Sequence, residues 1–294
     1  MIRELSQNEI NALQYELLMK DIIAAAEKLP PFPEIAWKLT SLIRKTASVK
    51  EMEAVIRLDQ ALAARLLRLS QAACYGRRYE VRSLQDAILL LGNKRLLQVI
   101  ISSCASRYFE RAGCGRDEKD LWEHSVASAL MAELISRRLG NKKILTIYTS
   151  SLLHDIGKTI LNIYAKIYLH STLSRIRGEG HFIRAERRAL GIDHQELGGM
   201  IARNWKFPPE IIAAIEHHHD PEKAGQHREI ASIVYMANEM VGSAVREHGD
   251  PARSAISPQA DSVFRFMGIT AADAEELQEE LARNLLGVRR MLAG

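Results

Sequence analysis

Apolar residues recur at helical spacing along most of this 294-residue chain, and no segment sustains the apolar-polar alternation of a strand with hairpin turn signals. An all-α fold follows. Leu62, Leu66 and Leu69 stand at i, i+4 and i+7; Ile211, Ile212 and Ile215 mark one face of a short helix, and Ile230, Ile233, Val234 and Val241 mark another. The helix boundaries are also legible. Ser83 precedes a helix reading through Leu91, Asp193 is placed to cap the helix that carries His194, and Pro208-Pro209 suits a first turn. Gly92, Gly140 and Gly191 read as stops.

With 47% hydrophobic residues the chain can fill a substantial core, enough for one large or two modest domains. A break in periodicity at Arg111 to Arg116 and a loop from His248 to Pro258 mark two boundaries, and an extra helix expected over about the first 20 residues makes four stretches. These are an extension (1–20), an N-terminal helical lobe (21–112), a histidine-bearing helical core (117–247) and a C-terminal helix (260–294), the last running from near Ala271 to Met291. Net charge is only +4 and basic residues occur as scattered pairs such as Arg137-Arg138 and Arg187-Arg188, which read as solvated helix ends. No nucleic-acid partner is expected. Cys74, Cys104 and Cys114 lack CxxC spacing, so neither a disulfide framework nor a thiolate metal site is indicated and a reducing cytosol fits. The N-terminus lacks the apolar core of a signal peptide, and charges interrupt every long apolar run. The expectation is a cytoplasmic protein that does not cross a membrane.

The chemistry concentrates in histidines. Leu152-Leu153-His154-Asp155-Ile156-Gly157-Lys158 places a nitrogen and an oxygen ligand side by side at the edge of an apolar helix. Other histidines can join them: His124, His194, and the run His217-His218-His219 after an apolar stretch. Imidazole and carboxylate together suit Fe, Mn, Zn or Ni better than Mg or Ca, which favour all-oxygen shells. The plainer alternative is that each histidine is a surface residue or a hydrogen-bonded core residue.

In order along the chain, these residues resemble the metal-ligand pattern of the HD superfamily of phosphohydrolases, in the form seen in its HD-GYP branch: a His, His-Asp, a single His, then His-His. The segment before them narrows the likeness. Leu29-Pro30-Pro31-Phe32-Pro33, Leu58-Asp59-Gln60-Ala61-Leu62, Arg65-Leu66-Leu67-Arg68-Leu69 leading to Tyr75-Gly76, and Ser83-Leu84-Gln85-Asp86-Ala87-Ile88 followed by Leu91-Gly92 resemble an HDOD domain, the HD-related output domain of bacterial signalling proteins. The likeness covers about residues 20 to 245 and implies a multi-helix HD-like bundle with an N-terminal helical lobe.

By that resemblance Asp155 bridges two metals, His124 and His154 serve one, and His194, His218 and His219 serve the other, with His217 as the extra histidine. The implied cofactor is one or two divalent transition ions, Fe or Mn first, with Zn or Ni as alternatives. Asp120, one helical turn before His124, either completes a coordination sphere or is an exposed acidic residue. Where the family pattern ends in Asp this chain has Asn238, a neutral and weaker ligand, and Glu239 points about 100° away from it on a helix. One firm metal site and a second, weaker or empty one are therefore expected.

Lys158 resembles the phosphate-contacting Lys of the HDxGK motif; with Asp155 it would be the catalytic residue if the site is active. No Gly-Tyr-Pro element follows His219, so cyclic-di-GMP hydrolysis is not expected. The resemblance favours a regulatory signalling output without catalysis that meets a signalling protein partner. The alternative is a metal-dependent phosphohydrolase acting on a nucleotide or other phosphoester.

Overall fold

A computed structural model describes residues 7–71, 81–111, 116–168, 179–246 and 258–292, and among them every regular element is helical. The N-terminal half runs through α1 (Gln7–Glu27), α2 (Glu34–Arg44), α3 (Val49–Ile56), α4 (Gln60–Gln71) and α5 (Leu84–Arg111). Then follow α6 (Arg116–Arg138), α7 (Ile144–Leu153), α8 (Lys158–Tyr168), α9 (Glu179–Leu190), α10 (His194–Asn204) and α11 (Pro209–Glu216). A short 3₁₀ segment (Pro221–His227), α12 (Arg228–Arg246), α13 (Pro258–Met267) and α14 (Ala271–Leu292) complete the chain. Tyr75-Gly76, Cys74, Cys114, most of the 111–116 break, His170 and the 248–257 loop lie outside the described residues.

The punctuation behaves as its chemistry requires. Ser83 Oγ accepts from Asp86 N–H at 3.1 Å, and Asp193 caps α10 by accepting from the N–H groups of Gln195 and Glu196. Gly92 interrupts α5 with φ +66°, a backbone setting that favours glycine. By length and hydropathy, Leu84–Phe109 resembles a membrane span, but 56% of that window is buried inside the fold, where Ile88, Leu96 and Ile100 pack in the core.

Two apolar clusters organise the packing. One runs from Ile22, Leu39 and Leu66 through Ile100 to Leu152, Ile156, Leu197 and Ile215, joining the N-terminal lobe to the histidine-bearing helices. The other gathers Met131, Ile135 and Ile147 with Ile233, Val234 and Leu277 from α12 and α14. α7 lies between them, giving Leu152 to the first and Ile147 to the second. The His-Asp pair at its C-terminal end is thereby held from both sides.

Phe32 sits among Trp37, Tyr108, Trp205 and Phe207, with ring centroids 5.3–6.2 Å apart. Pairs of this kind add about 0.5–1.5 kcal/mol beyond area burial. The carbonyls beside Phe32 are satisfied as well: the Trp205 indole N–H donates to Pro30 O at 3.0 Å and the Tyr108 hydroxyl to Pro31 O at 2.7 Å. The Pro-Pro-Phe-Pro segment thus ties α5 to the turn after α10.

Two helices at the ends of the chain were only partly legible. α1 covers the stretch expected as an extension and packs on α8, α9 and α10, where the Tyr15 hydroxyl donates to Arg187 O at 2.6 Å. The C-terminal stretch holds α13 as well as the expected last helix; the chain turns at Gly268 (φ +70°) and restarts where Thr270 and Asp273 cap α14 reciprocally. Asp273 and Glu276 then pair with Arg138 of α6.

Candidate metal centre

Four parts of the fold converge on Asp155. α7 ends one residue before His154, and the buried turn from His154 to Gly157 leads into α8. This turn lies directly on the start of α10: a Cβ on Gly157 would collide with the His194 carbonyl and come within 3.0 Å of Gly198 N. Only glycine permits that approach, which brings Asp155 to His194. Gly198 and Gly199 do the same between α10 and α11, where added Cβ atoms would sit 3.0 Å from Ile215 and Glu216. The short α11 then delivers His218 and His219.

The ring orientations follow from the helix ends. At a helix C-terminus the last carbonyls lack intrahelical partners. His154 Nδ1–H donates to Ser151 O at 2.7 Å and His218 Nδ1–H to Ile215 O at 2.8 Å, the same i−3 arrangement at the ends of α7 and α11. His194 Nδ1–H donates to Glu186 Oε2 at 2.6 Å. A neutral imidazole has one N–H to give, so these bonds leave Nε2 of all three rings as a lone pair. All three point at the Asp155 carboxylate.

The distances divide the cluster in two. Asp155 Oδ1 lies 3.5 Å from His194 Nε2 and 3.7 Å from His218 Nε2, and His194 Nε2 lies 3.3 Å from His218 Nε2 and 3.1 Å from His219 Nε2. Asp155 Oδ2 lies 3.4 Å from His154 Nε2 and 3.8 Å from His124 Nε2. In both groups, His194/His218/His219 and His124/His154/Asp155, the ligand atoms lie within 4.8 Å of one another. Ligands on bonds of about 2.1 Å stand roughly 3.0–3.4 Å apart around one ion, so the donor set fits a divalent transition metal.

Without a cation the arrangement is a concentration of acceptors. His154 Nε2 and Asp155 Oδ1 are buried and have no hydrogen-bond partner. Burial, and next to it the neighbouring histidines, push the His218 and His219 rings well below their ordinary range, so neither supplies an imidazolium. One N–H on His219 can satisfy only one facing lone pair. Burial would raise the Asp155 carboxyl, yet the Lys158 ammonium beside it acts the other way, and the group is held well below the usual carboxylate range. Lys158 Nζ donates to Asp155 Oδ2 at 2.7 Å.

The remaining expected residues differ in placement. Asn238, on α12, puts Oδ1 3.0 Å from His124 Nε2, while its Nδ2 is buried without a partner. Asp120 is exposed and belongs to neither group. His217 caps α11 outside both groups, and His227 bonds Gln226 in the 3₁₀ segment. His170, His181 and His248 lie outside the residues whose side chains are described. Cys104 is a buried free thiol, pushed up to about 12 by burial, and no cysteine joins a metal-type cluster among the described residues.

Glu186 escaped the sequence reading, as did Arg187, whose Nε donates to Asp193 Oδ2 at 2.5 Å instead of being only a solvated helix end. Neither had a visible signal, since Arg184-Ala185-Glu186-Arg187-Arg188 reads as a charged surface run. Gln195 is a third such residue, its Oε1 accepting from His219 N–H at 3.0 Å.

A helical bundle thus gathers His124, His194, His218 and His219 around the His-Asp turn. Residues 29–221 match the HDOD domain, more than half of the chain, and the chain belongs to the HDOD family. Solved structures agree on the fold. An HDOD domain protein of unknown function from Geobacter sulfurreducens superposes with a TM-score of 0.73 at 22% identity, covering 95% of this chain and 97% of its own. A protein from Marinobacter aquaeolei named for signal transduction gives 0.72 at 20% identity, covering 94% of this chain and 65% of its own. One from Shewanella amazonensis carrying the name phosphohydrolase gives 0.66 at 24% identity, covering 89% of this chain and 93% of its own. An uncharacterised protein of Treponema pallidum (strain Nichols) is 24% identical over 224 residues, 72% of this chain, and the chain spans 42% of that relative's length.

Proposed function

We propose that this chain is a cytoplasmic signalling output module without catalysis, in which the His/Asp cluster holds a divalent transition metal as a cross-link between helices distant in sequence. The carrying observation is the meeting of three imidazole lone pairs, those of His154, His194 and His218, with the Asp155 carboxylate in a buried site. His194, His218, His219 and Asp155 Oδ1 form the firm site, and Fe or Mn suits it first, with Zn or Ni as alternatives. His124, His154 and Asp155 Oδ2, with Asn238 beside them, form the weaker one, because Asn238 adds no charge and the Lys158 ammonium already neutralises Oδ2. Asp120 is not among the ligands.

Held by these residues, a metal would tie together α7, α10 and the turn after α11 and would offer Lewis acidity toward a phosphoryl oxygen. The regulatory reading is supported by HDOD membership and by a relative of the same fold named for signal transduction. The surface offered to a signalling protein lies on the N-terminal lobe, which exposes Leu58 and Leu89.

One observation favours a second reading, a metal-dependent phosphohydrolase. Part of the cluster reaches the surface, the side chains of His124 and Lys158 being 22% and 28% exposed. A phosphoester entering there would meet the Lys158 ammonium first. Metal analysis of purified protein, followed by a phosphodiester screen with Mn or Fe present, separates the readings. The regulatory reading expects bound metal, a melting temperature lowered by chelator and no turnover; turnover that Asp155→Ala abolishes would replace it with the enzyme.

A further inference from the structure

We infer that Glu186 is a positioning residue for metal capture, fixing His194 so that Nε2 and not Nδ1 faces the cluster; this rests on the metal-binding reading above. Glu186 is buried on α9, eight residues before His194. Its Oε2 accepts twice from the same residue, from the His194 backbone N–H at 3.1 Å and from Nδ1–H at 2.6 Å. One oxygen therefore sets both the first backbone position of α10 and the rotation of its first ring.

The consequence is chemical as well as geometric. Holding the proton at Nδ1 leaves Nε2 as the donor, and a charge-assisted hydrogen bond to a carboxylate holds the ring more firmly than one to a carbonyl does. His154 and His218 receive the weaker version, since their Nδ1–H groups meet the main-chain carbonyls of Ser151 and Ile215. His194 is also the ring whose Nε2 lies close to both His218 and His219. The strongest brace thus acts on the ring at the centre of the three-histidine group. Glu186 is itself fixed, because the next residue, Arg187, donates to the α10 cap Asp193 and accepts at its carbonyl from Tyr15 of α1.

The test is a Co²⁺ titration of metal-free wild type, Glu186→Ala and Glu186→Gln, read by the visible absorption of the bound ion beside the melting temperature of each metal-free protein. Glu186→Ala leaves two buried N–H groups without an acceptor and should lower the metal-free melting temperature, but it should also weaken binding about 10- to 100-fold and alter the cobalt spectrum, which loss of stability alone does not do. Glu186→Gln, whose Oε1 can accept the same two N–H groups without charge, should recover part of the loss. Wild-type affinity and spectrum in both variants would overturn the role of Glu186 while leaving metal binding intact. Affinity lost only in step with the metal-free melting temperature, with an unaltered spectrum, would overturn it too, since that is general destabilisation. If Glu186→Ala does not fold, Glu186→Gln decides alone: intermediate affinity supports the inference and wild-type affinity refutes it. No cobalt bound by the wild type would sink the reading beneath it.

Discussion

The two halves of the centre share one carboxylate yet are built differently. On the Oδ1 side, His194 is braced by a buried carboxylate and His218 by a helix-end carbonyl, and the nitrogens lie 3.1–3.3 Å apart. On the Oδ2 side, His154 is braced in the same way, but His124 leans on a neutral amide and Lys158 occupies the oxygen. Ligand identity alone therefore does not define a site. What matters is how many partners hold each ring, and how much positive charge the protein already supplies.

The sharpest way to break this contrast is to remove one ring from each half. Loss of metal affinity of about 100-fold is expected for His218→Ala, against a change of under about tenfold for His124→Ala, both read by calorimetric titration with Mn²⁺. Equal losses would mean that the halves are equivalent. Gly157→Ala tests the shared geometry instead: its methyl would push the His-Asp turn off α10, costing about 1–3 kcal/mol in denaturant unfolding of the metal-free protein and weakening metal binding as well. Unchanged stability would show that the turn has room to give.

Asn238→Asp should narrow the contrast. It adds the missing charge beside His124, so excess Mn²⁺ should move stoichiometry from one ion per chain toward two, measured by elemental analysis after gel filtration. A stoichiometry that stays at one would show that Lys158, more than residue 238, sets the count. The smallest effect is on pH dependence. Burial lowers His124 from 6.5 to about 4, and lowers His218 and His219 well below their ordinary range. The folded state therefore binds fewer protons than the unfolded one, so this contribution is whole above pH 6.5 and is lost as pH falls toward 4. Chelated protein melted across that window should lose stability steadily, and a flat profile would contradict the burial of these rings.

Much of this was legible in the sequence because two signals are local. Helical spacing at Leu62 and Leu66, or at Ile211 and Ile215, reports which face is buried, and the structure buries those residues. The order of His124, His154-Asp155, His194 and His218-His219 carries the family pattern, and the structure brings those side chains together. What stayed hidden depends on tertiary approach. Glu186 and Arg187 sit in a run of charges and acquire meaning only when α9 folds against α10. Gly157 reads as a motif letter until the carbonyl of His194 is seen against it. Asp120 has the right spacing from His124, but spacing along one helix does not say which face the other helices cover.

The most direct measurement is anomalous scattering from crystals grown with Mn²⁺ or Fe²⁺, collected on either side of the metal edge. A strong peak is expected within bonding distance of His194, His218, His219 and Asp155, and a weaker one or none beside His124 and His154. No peak among these residues, or a dominant one on the His124 side, would contradict this expectation.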